Sequence, residues 1–400
     1  MAAFTFWFCS FIIFYTYAGY PLILALFAHL KPRPLPYQRS APSVSLIIAA
    51  YNEEDVIEKK LDNCLKLNYP FSGLQIIVAA DGSNDRTVQI VQQWIENHQI
   101  IPETPVVVLN FLPERRGKMA AITRAVSIAT GEILVFSDAN NFYQPDTLVE
   151  LVAPFCRETV GGVSGAKFII QENDSLAQSE GLYWKYESHI KAWEARLSSC
   201  TSASGEILAM RKSLFTPPPA KIINDDFYFA MKIVAKGYRF EYAPLARSFE
   251  TISKTAQGEM LRRERIVAGR YQAIALAPSL LPWRFPLVIW QVISHKFIRP
   301  LVPFAMIGLF FSNLLVAVFP INEGGFGHLS LPFSLLFLAL QVLFYLFVLL
   351  GAYFPIKGRI GKILYLPAFL FNSNFAALVG AYRFFRRQQT TNWTRVQRRT

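Results

Sequence analysis

Glu132–Asp146 reads EILVFSDANNFYQPD, and the fold turns on this stretch. The apolar run Ile133–Phe136 has the length and β-leaning composition of a buried parallel strand. It leads into Ser137-Asp138-Ala139-Asn140, which places a carboxylate and an amide two residues apart just past the strand's carboxyl end. Open α/β sheets bind their ligands at that edge. Asp138 and Asn140 supply oxygen donors of the kind that hold a hard divalent cation and leave other positions for phosphate oxygens. The competing reading is a turn whose Asp and Asn cap the next segment.

Working outward, strands alternate with helices. Val44–Ala50 reads as a strand, and Glu53–Leu67 as a helix with Val56, Leu61 and Leu65 on or near one face. Leu74–Ala80 is a second strand, Thr87–His98 a helix, Val106–Leu109 a third strand, and Lys118–Ala129 the helix before the central strand. This spacing predicts an α/β fold with a doubly wound, mostly parallel sheet. A less regular half follows from about Leu148 to Glu250.

Other chemistry gathers at strand ends. Tyr51-Asn52-Glu53-Glu54 could hydrogen-bond a base or ribose, or Asn52 could simply cap a helix. In Asp81-Gly82-Ser83-Asn84-Asp85, one of the last three residues suffices as a cap, which leaves Asp81 as a partner for a ribose or base. Arg115-Arg116-Gly117-Lys118 opens a helix, where backbone N–H groups and three cations suit a diphosphate. Asp225 and Asp226 follow Ile222 and Ile223, read as a strand, at the start of a helix. They either complement the helix dipole or include a general base.

Membrane segments are expected, because 52% of the residues are hydrophobic and 34 are Phe. The net charge of +12 clusters beside apolar stretches, which argues against nucleic acid as a partner. Phe4–Leu30 is apolar for long enough to cross a bilayer, lacks a basic leader and cleavage site, and reads as a retained anchor. Pro300–Phe319 and Leu331–Phe354 read as spans joined by the external loop Pro320–Ser330. Met260–Leu276, with Met260, Val267, Tyr271 and Ile274 opposite Arg262, Arg263, Arg265 and Arg270, suits the membrane surface. Ile363–Tyr382, with Asn372, Ser373 and Asn374 at its middle, reads as interfacial or re-entrant. No intramembrane charged pair is evident. Lys and Arg positions keep the main domain cytosolic. The division expected is an anchor over 1–30, a linker over 31–42, a catalytic domain over 43–255, interfacial helices over 256–298, membrane segments over 299–384 and a basic cytosolic tail over 385–400. Cys9, Cys64, Cys156 and Cys200 show no metal or redox spacing.

Taken together, the stretches over roughly Ser43–Gln272 resemble the membrane-embedded family-2 inverting glycosyltransferases of GT-A fold, such as the cellulose, hyaluronan and poly-N-acetylglucosamine synthases. The resemblance implies that Tyr51, Asn52, Glu53 and Asp81 contact the nucleotide and that Arg115 and Lys118 lie near the diphosphate. It places Asp138 and Asn140 on Mg²⁺ or Mn²⁺ and the donor phosphates, and makes Asp226 the base with Asp225 beside it. It adds Arg263 and Arg265 to the substrate site through Arg262-Arg263-Glu264-Arg265-Ile266, a form of the processive Gln-Arg-x-Arg-Trp motif without its Gln and Trp. Asn140 and Asp225 also depart from the family's Asp and Glu, and Thr123 replaces a helix Asn. The missing Gln and Trp favour short or single additions over long chains. The function implied is sugar transfer from a nucleotide-sugar, UDP being the usual carrier, to a glycan or lipid acceptor in a bacterial inner or plasma membrane. No residue specifies an export partner. The alternatives are a sugar-nucleotide-forming nucleotidyltransferase and a transport or channel protein; all-soluble substrates argue against the first and too few spans against the second.

Overall fold

Val44–Ala50 (β1) is buried along its whole length, and the sheet grows from it in both directions. The computed structural model describes residues 1–32, 37, 41–98, 105–170, 175–219, 221–251, 256–320, 324–353 and 358–386. On one side β1 pairs in parallel with Leu74–Asp81 (β2), and β2 with Val106–Leu112 (β3). On the other side it pairs in parallel with Ile133–Asp138 (β4). Phe142–Tyr143 (β5), Val160–Ile169 (β6), Leu208–Arg211 (β7) and Arg239–Glu250 (β8) complete the order β3-β2-β1-β4-β7-β6-β8-β5. β7 runs antiparallel to β4 and β6, β5 antiparallel to β8, and β6 parallel to β8. The doubly wound, mostly parallel sheet is therefore present, with the antiparallel pairs in the half whose sequence pattern is irregular.

Alternation along the strands serves two cores. Ile47, Ile77 and Leu134 face Ala121, Ile122 and Ala125 of the helix Lys118–Ile128. Leu46, Ile48, Ile76 and Val78 face Ile57, Leu61 and Cys64 of the helix Ile57–Leu65, and Val91 and Trp94 of the helix Thr87–His98. Burial on both faces is why these strands read as continuous apolar runs. The register sets Ala50 opposite Ala80 and Ala49 opposite Asp138, so three strand ends open on one edge.

Several elements differ from expectation. The first helix starts at Ile57, not Glu53, because Asn52 takes a φ of 54° and the Glu53 N–H goes to Thr87 Oγ1 at 2.8 Å. Ile222 and Ile223 form no strand. The Ile223 N–H instead donates to Gln272 Oε1 at 2.9 Å, and Gln272 Nε2 to the Lys221 carbonyl at 2.7 Å. The arginine-rich helix spans Ala256–Ala275, and its Val267 and Tyr271 pack on Ala377 and Ala381 of the C-terminal helix Gly358–Phe385. Its apolar face is thus covered by protein. In the C-terminal helix, Asn374 Nδ2 donates to Tyr17 Oη at 3.0 Å and Ser373 Oγ accepts from Arg263, so protein partners hold two of the three polar residues at its middle, while Asn372 is exposed.

Among the described residues three helices are long and apolar enough to cross a membrane: Ala2–Leu30, Pro286–Val318 and Phe333–Gly351. The second begins well before Pro300, because a π turn at Ile293–Phe297 and a 3-10 turn at Arg299–Leu301 keep the helix continuous. It carries His295 and Arg299, which pair with Glu187 and Glu194 of the helix Ser175–Leu197. The sequence shows no charged pair in these segments because the carboxylates lie about a hundred residues away in the other domain. Most of the expected linker and the tail from residue 387 lie outside the described residues.

Gly131 sits where the chain enters β4 against β1. A Cβ there would lie 2.4 Å from the Ser45 N and 2.5 Å from the Val44 carbonyl carbon, closer than packing allows. Gly131→Ala is expected to destabilise the protein by about 2–3 kcal/mol, because backbone rather than a flexible side chain must shift. Gly73→Ala, with open space around the added carbon, should change stability by less than about 0.5 kcal/mol. Thermal unfolding of both variants in detergent tests the comparison.

Candidate active site

Asp138 is the last residue of β4, and the Lys118 Nζ lies 2.6 Å from its Oδ1. Both side chains are mostly buried, 16% and 25% exposed respectively. Burial would favour a neutral lysine, but Asp138 and then Asp225 hold Lys118 above its ordinary range and firmly charged. Behind the strand end a second lysine, Lys60, is fully buried. Its Nζ donates to Ser137 Oγ at 2.8 Å and to the Asn141 carbonyl at 2.5 Å, and lies 4.2 Å from the Tyr143 ring centre. Lys60 thus ties together the two ends of the segment that carries Asp138 and Asn140. Burial lowers its pKa to about 8.

At the neighbouring strand ends, the Arg115 guanidinium stacks 3.7 Å from the Tyr51 ring centre and makes a flat exposed platform. Asn52 exchanges hydrogen bonds with Asn84: its Nδ2 donates to Asn84 Oδ1 at 2.7 Å, and its Oδ1 accepts the Asn84 N–H at 2.9 Å. Asn52 therefore ties two loops together and caps no helix. Asp85 is the cap, accepting the Thr87 N–H at 2.9 Å. Asp81 is not spare. It accepts the Arg116 N–H at 3.1 Å and the Gly117 N–H at 2.6 Å, so the anion at this helix N-terminus is Asp81 itself. Two of the backbone donors expected for a diphosphate, the Arg116 and Gly117 N–H groups, are taken, and the Lys118 side chain supplies a cation there. Glu53 is buried, next to the bond its backbone makes with Thr87.

Asp225 and Asp226 start the helix Asp225–Ala235. Asn224 holds the turn before them by donating from Nδ2 to the Ile266 carbonyl at 3.1 Å. Burial, and then Asp225, push the Asp226 pKa up to about 6. Arg265 reaches the same place: burial lowers its pKa against the pull of Asp225, Asp138 and Asp226. Asp138, Lys118, Asp225, Asp226 and Arg265 thus form one electrostatic cluster. Arg263 lies elsewhere, bonded to Ser373 and 4.6 Å from the Phe369 ring centre. Two residues along the helix turn its direction by about 200° from that of Arg265.

No group of three or more His, Cys, Asp or Glu side chains among the described residues is placed to hold a metal ion. Asp138 and the half-buried Asn140 offer one carboxylate and one amide. That donor set suits Mg²⁺ or Mn²⁺ completed by phosphate oxygens and water, and not a cage built from protein alone. Lys118 would have to yield the carboxylate.

Three residues of this region were missed from sequence. Lys60 had a signal, because Ile57, Lys60, Leu61 and Cys64 recur at helical spacing and place it on the apolar face. Lys296, which donates to Ser202 Oγ at 2.6 Å and lies in the field of Asp226, is a charge within a membrane-length helix. Glu206 had no signal beyond the small-residue run before it.

Residues 45–216 match the Glycosyl transferase family 2 model, and residues 133–352 match Glycosyl transferase family group 2. The poly-beta-1,6-N-acetyl-D-glucosamine synthase of Staphylococcus aureus (strain MSSA476) is 26% identical over 261 residues, covering 63% of this chain and 61% of that protein. The probable glycosyltransferase YdaM of Bacillus subtilis (strain 168) is 24% identical over 315 residues, 76% of this chain and 72% of the relative. The chain thus spans about three fifths of the first of these relatives. Among solved structures, the mannosyltransferase PcManGT from Pyrobaculum calidifontis, in complex with GDP-Man and Mn²⁺, superposes with a TM-score of 0.73 at 23% identity. It covers 97% of this chain and 100% of its own, a likeness of fold.

The raised pKa of Asp226 has a consequence for stability. With a folded value near 6 against an ordinary 3.8, ionisation opposes folding. The deficit is absent below about pH 4, grows as pH rises and is complete above the folded value. Asp226→Asn keeps the oxygen that accepts the Phe227 N–H at 2.7 Å and removes the charge. It should raise the unfolding midpoint at pH 8 by on the order of 2–5 °C, with the gain vanishing towards pH 4. An unchanged or lower midpoint at pH 8 would show that Asp226 is not held against its charge.

Proposed function

The chain belongs to Glycosyl transferase family group 2, and from that premise we propose that it transfers a sugar from a nucleotide-sugar to a hydroxyl of a glycan or lipid-linked acceptor, with inversion. The observation that most directly supports this is a carboxylate with a pKa near 6, Asp226, in one cluster with the Lys118–Asp138 pair. A base poised close to neutrality can take the proton of a hydroxyl. The hydroxyl oxygen attacks the anomeric carbon, the bond to the nucleoside diphosphate breaks, and the proton passes to Asp226. A single displacement inverts the centre, so an α-linked donor gives a β-glycoside.

Lys118 and Arg265 are the cations that oppose the charge developing on the departing diphosphate. Mg²⁺ or Mn²⁺, held by Asp138 and Asn140, would add Lewis-acid neutralisation of that charge. The Tyr51–Arg115 stack, 3.7 Å from guanidinium to ring, suits a base laid against it, and Asn52 borders it. Three membrane-length helices support an integral membrane protein, and the Lys and Arg distribution supports a cytosolic catalytic domain. A bacterial inner or plasma membrane fits this arrangement.

Purified protein incubated with radiolabelled UDP- and GDP-sugars should yield a glycosylated acceptor. Pyrophosphate release in its place would overturn the reading. Asp226→Asn should keep donor affinity in calorimetry while turnover falls about 10²–10⁴-fold. EDTA should abolish transfer and Mg²⁺ or Mn²⁺ restore it, with Asp138→Ala inactive at any metal concentration. For topology, a cysteine at Gly325 should react with an impermeant maleimide on intact cells, and one at Gly358 should not. The reverse pattern would put the catalytic domain outside.

A further inference from the structure

Between the helix Ser175–Leu197 and β7, Thr201–Glu206 runs past the cluster around Asp226, and four of its six residues are tied down. Thr201 Oγ1 donates to Glu194 at 2.8 Å, Ser202 Oγ accepts from Lys296 at 2.6 Å and Ser204 Oγ from Lys191 at 2.8 Å. The Ser204 N–H donates to Ser164 Oγ at 3.1 Å, and the Glu206 carbonyl accepts Tyr143 Oη at 2.8 Å. Gly205 lies against the base, since a Cβ built on it would sit 3.8 Å from the Asp226 Cβ. The segment is therefore held in place where it passes Asp226, and it carries Glu206 as its next residue.

Nothing in the reaction derived above uses Glu206. Its side chain is 12% exposed, with the Lys167 Nζ 3.3 Å from Oε1. Lys167 is shared with Glu250, and its ion pair with the buried Glu206 Oε1 makes no hydrogen bond. Although burial favours the neutral acid, Lys167 holds the Glu206 pKa below the ordinary value, so the group is a carboxylate at neutral pH. A carboxylate only accepts hydrogen bonds, and this one retains unfilled acceptor capacity in a rigid setting.

Its position indicates what fills that capacity. Glu206 lies in the field of Asp138, and Asp226 in turn feels Glu206. In the proposed reaction the diphosphate binds at the Asp138–Lys118 end and the acceptor hydroxyl at Asp226. The anomeric carbon is bonded to the first and attacked by the second, so the transferred sugar lies between them. We propose that Glu206 is a specificity-determining residue that accepts hydrogen bonds from hydroxyl or amide N–H groups of the transferred sugar, admitting an uncharged hexose or hexosamine and excluding a uronate. A sugar carboxylate at that position would face Glu206 with two like charges and no proton to share.

This assignment rests on the reading of the site as a glycosyltransferase, and the experiment separates the two. Parent, Glu206→Gln and Glu206→Asp are compared for affinity toward UDP and GDP alone by calorimetry. The same three are compared for kcat/KM over UDP-glucose, UDP-N-acetylglucosamine, GDP-mannose and UDP-glucuronate. Glu206→Gln should leave nucleotide affinity within about twofold while kcat/KM for the parent's preferred donor falls about 10–100-fold, the scale of one charged hydrogen bond. The ratio of UDP-glucuronate to UDP-glucose use should rise at least about tenfold, because the repulsion is gone. Glu206→Asp keeps the charge and shortens the reach, so the preferred donor should suffer while the uronate stays excluded. An unchanged donor ranking in Glu206→Gln, or an equal loss of UDP and GDP binding, overturns the assignment. A parent that uses none of the donors overturns the glycosyltransferase reading, and this assignment with it.

Discussion

A carboxylate at the end of a buried strand must be neutralised, and the site is arranged around how Asp138 meets that demand. Removing one member of a buried ion pair costs about 3–5 kcal/mol, because the other charge is left behind. Lys118 answers Asp138 from the substrate side at 2.6 Å, and Lys60 fixes Ser137 and Asn141 on either side of it from within the core. The two lysines do different work. Lys118 belongs to a helix start at the open edge, so in the proposed reaction its charge passes to a diphosphate. Lys60 has no exposed surface and holds the backbone that aims Asp138.

The same logic governs the junction with the apolar helices. His295 lies between two carboxylates, Glu194 Oε1 at 2.8 Å from Nδ1 and Glu187 Oε2 at 3.1 Å from Nε2, and Arg299 also pairs with Glu187. Burial favours a neutral Glu187, but Arg299 and His295 hold its pKa well below the ordinary range. Tyr20 of the first membrane-length helix donates to Glu194 at 2.7 Å, so three separate parts of the chain meet on two glutamates. Such a network has no room for an unpaired member, and it fixes the α/β domain to the membrane-length helices by charge as well as by apolar contact.

What was legible in the sequence is what local pattern encodes. The strands β1, β2 and β4 and the helix Thr87–His98 follow from apolar runs bounded by turn residues, and Asp138, Lys118 and Asp226 from their places at element ends. Contacts distant in sequence were not legible. Asp81 looked available because nothing near it in sequence claims it, yet the Arg116 and Gly117 N–H groups do. Ile222–Ile223 looked like a strand because two β-branched residues precede the acids. The Gln272 side chain 49 residues on satisfies the backbone there without a sheet. Arg263 and Arg265 share one motif, but their spacing sets them on different faces of the helix, and the C-terminal helix takes Arg263.

The clamp from Gln272 also bears on how Asp226 is set. Asp226 owes its pKa to burial and to Asp225, and both depend on where the helix Asp225–Ala235 begins. That start is fixed by Gln272 at Ile223 and by the Asn224 bond to Ile266, two contacts with one face of the arginine-rich helix. Gly269 permits the approach, because a Cβ there would lie 2.4 Å from Asn224 Oδ1. The opposite side of the arginine-rich helix lies on the C-terminal helix, where a Cβ on Gly380 would come 2.8 Å from the Glu264 carbonyl oxygen. At Gly380 the neighbour is backbone and the approach demands glycine, whereas at Gly269 a larger residue would displace the Asn224 side chain and with it the bond to Ile266. The titration of Asp226 is therefore governed by helices that also pack against the membrane-length segments, which in the proposed reaction joins proton transfer at Asp226 to the arrangement of the apolar helices.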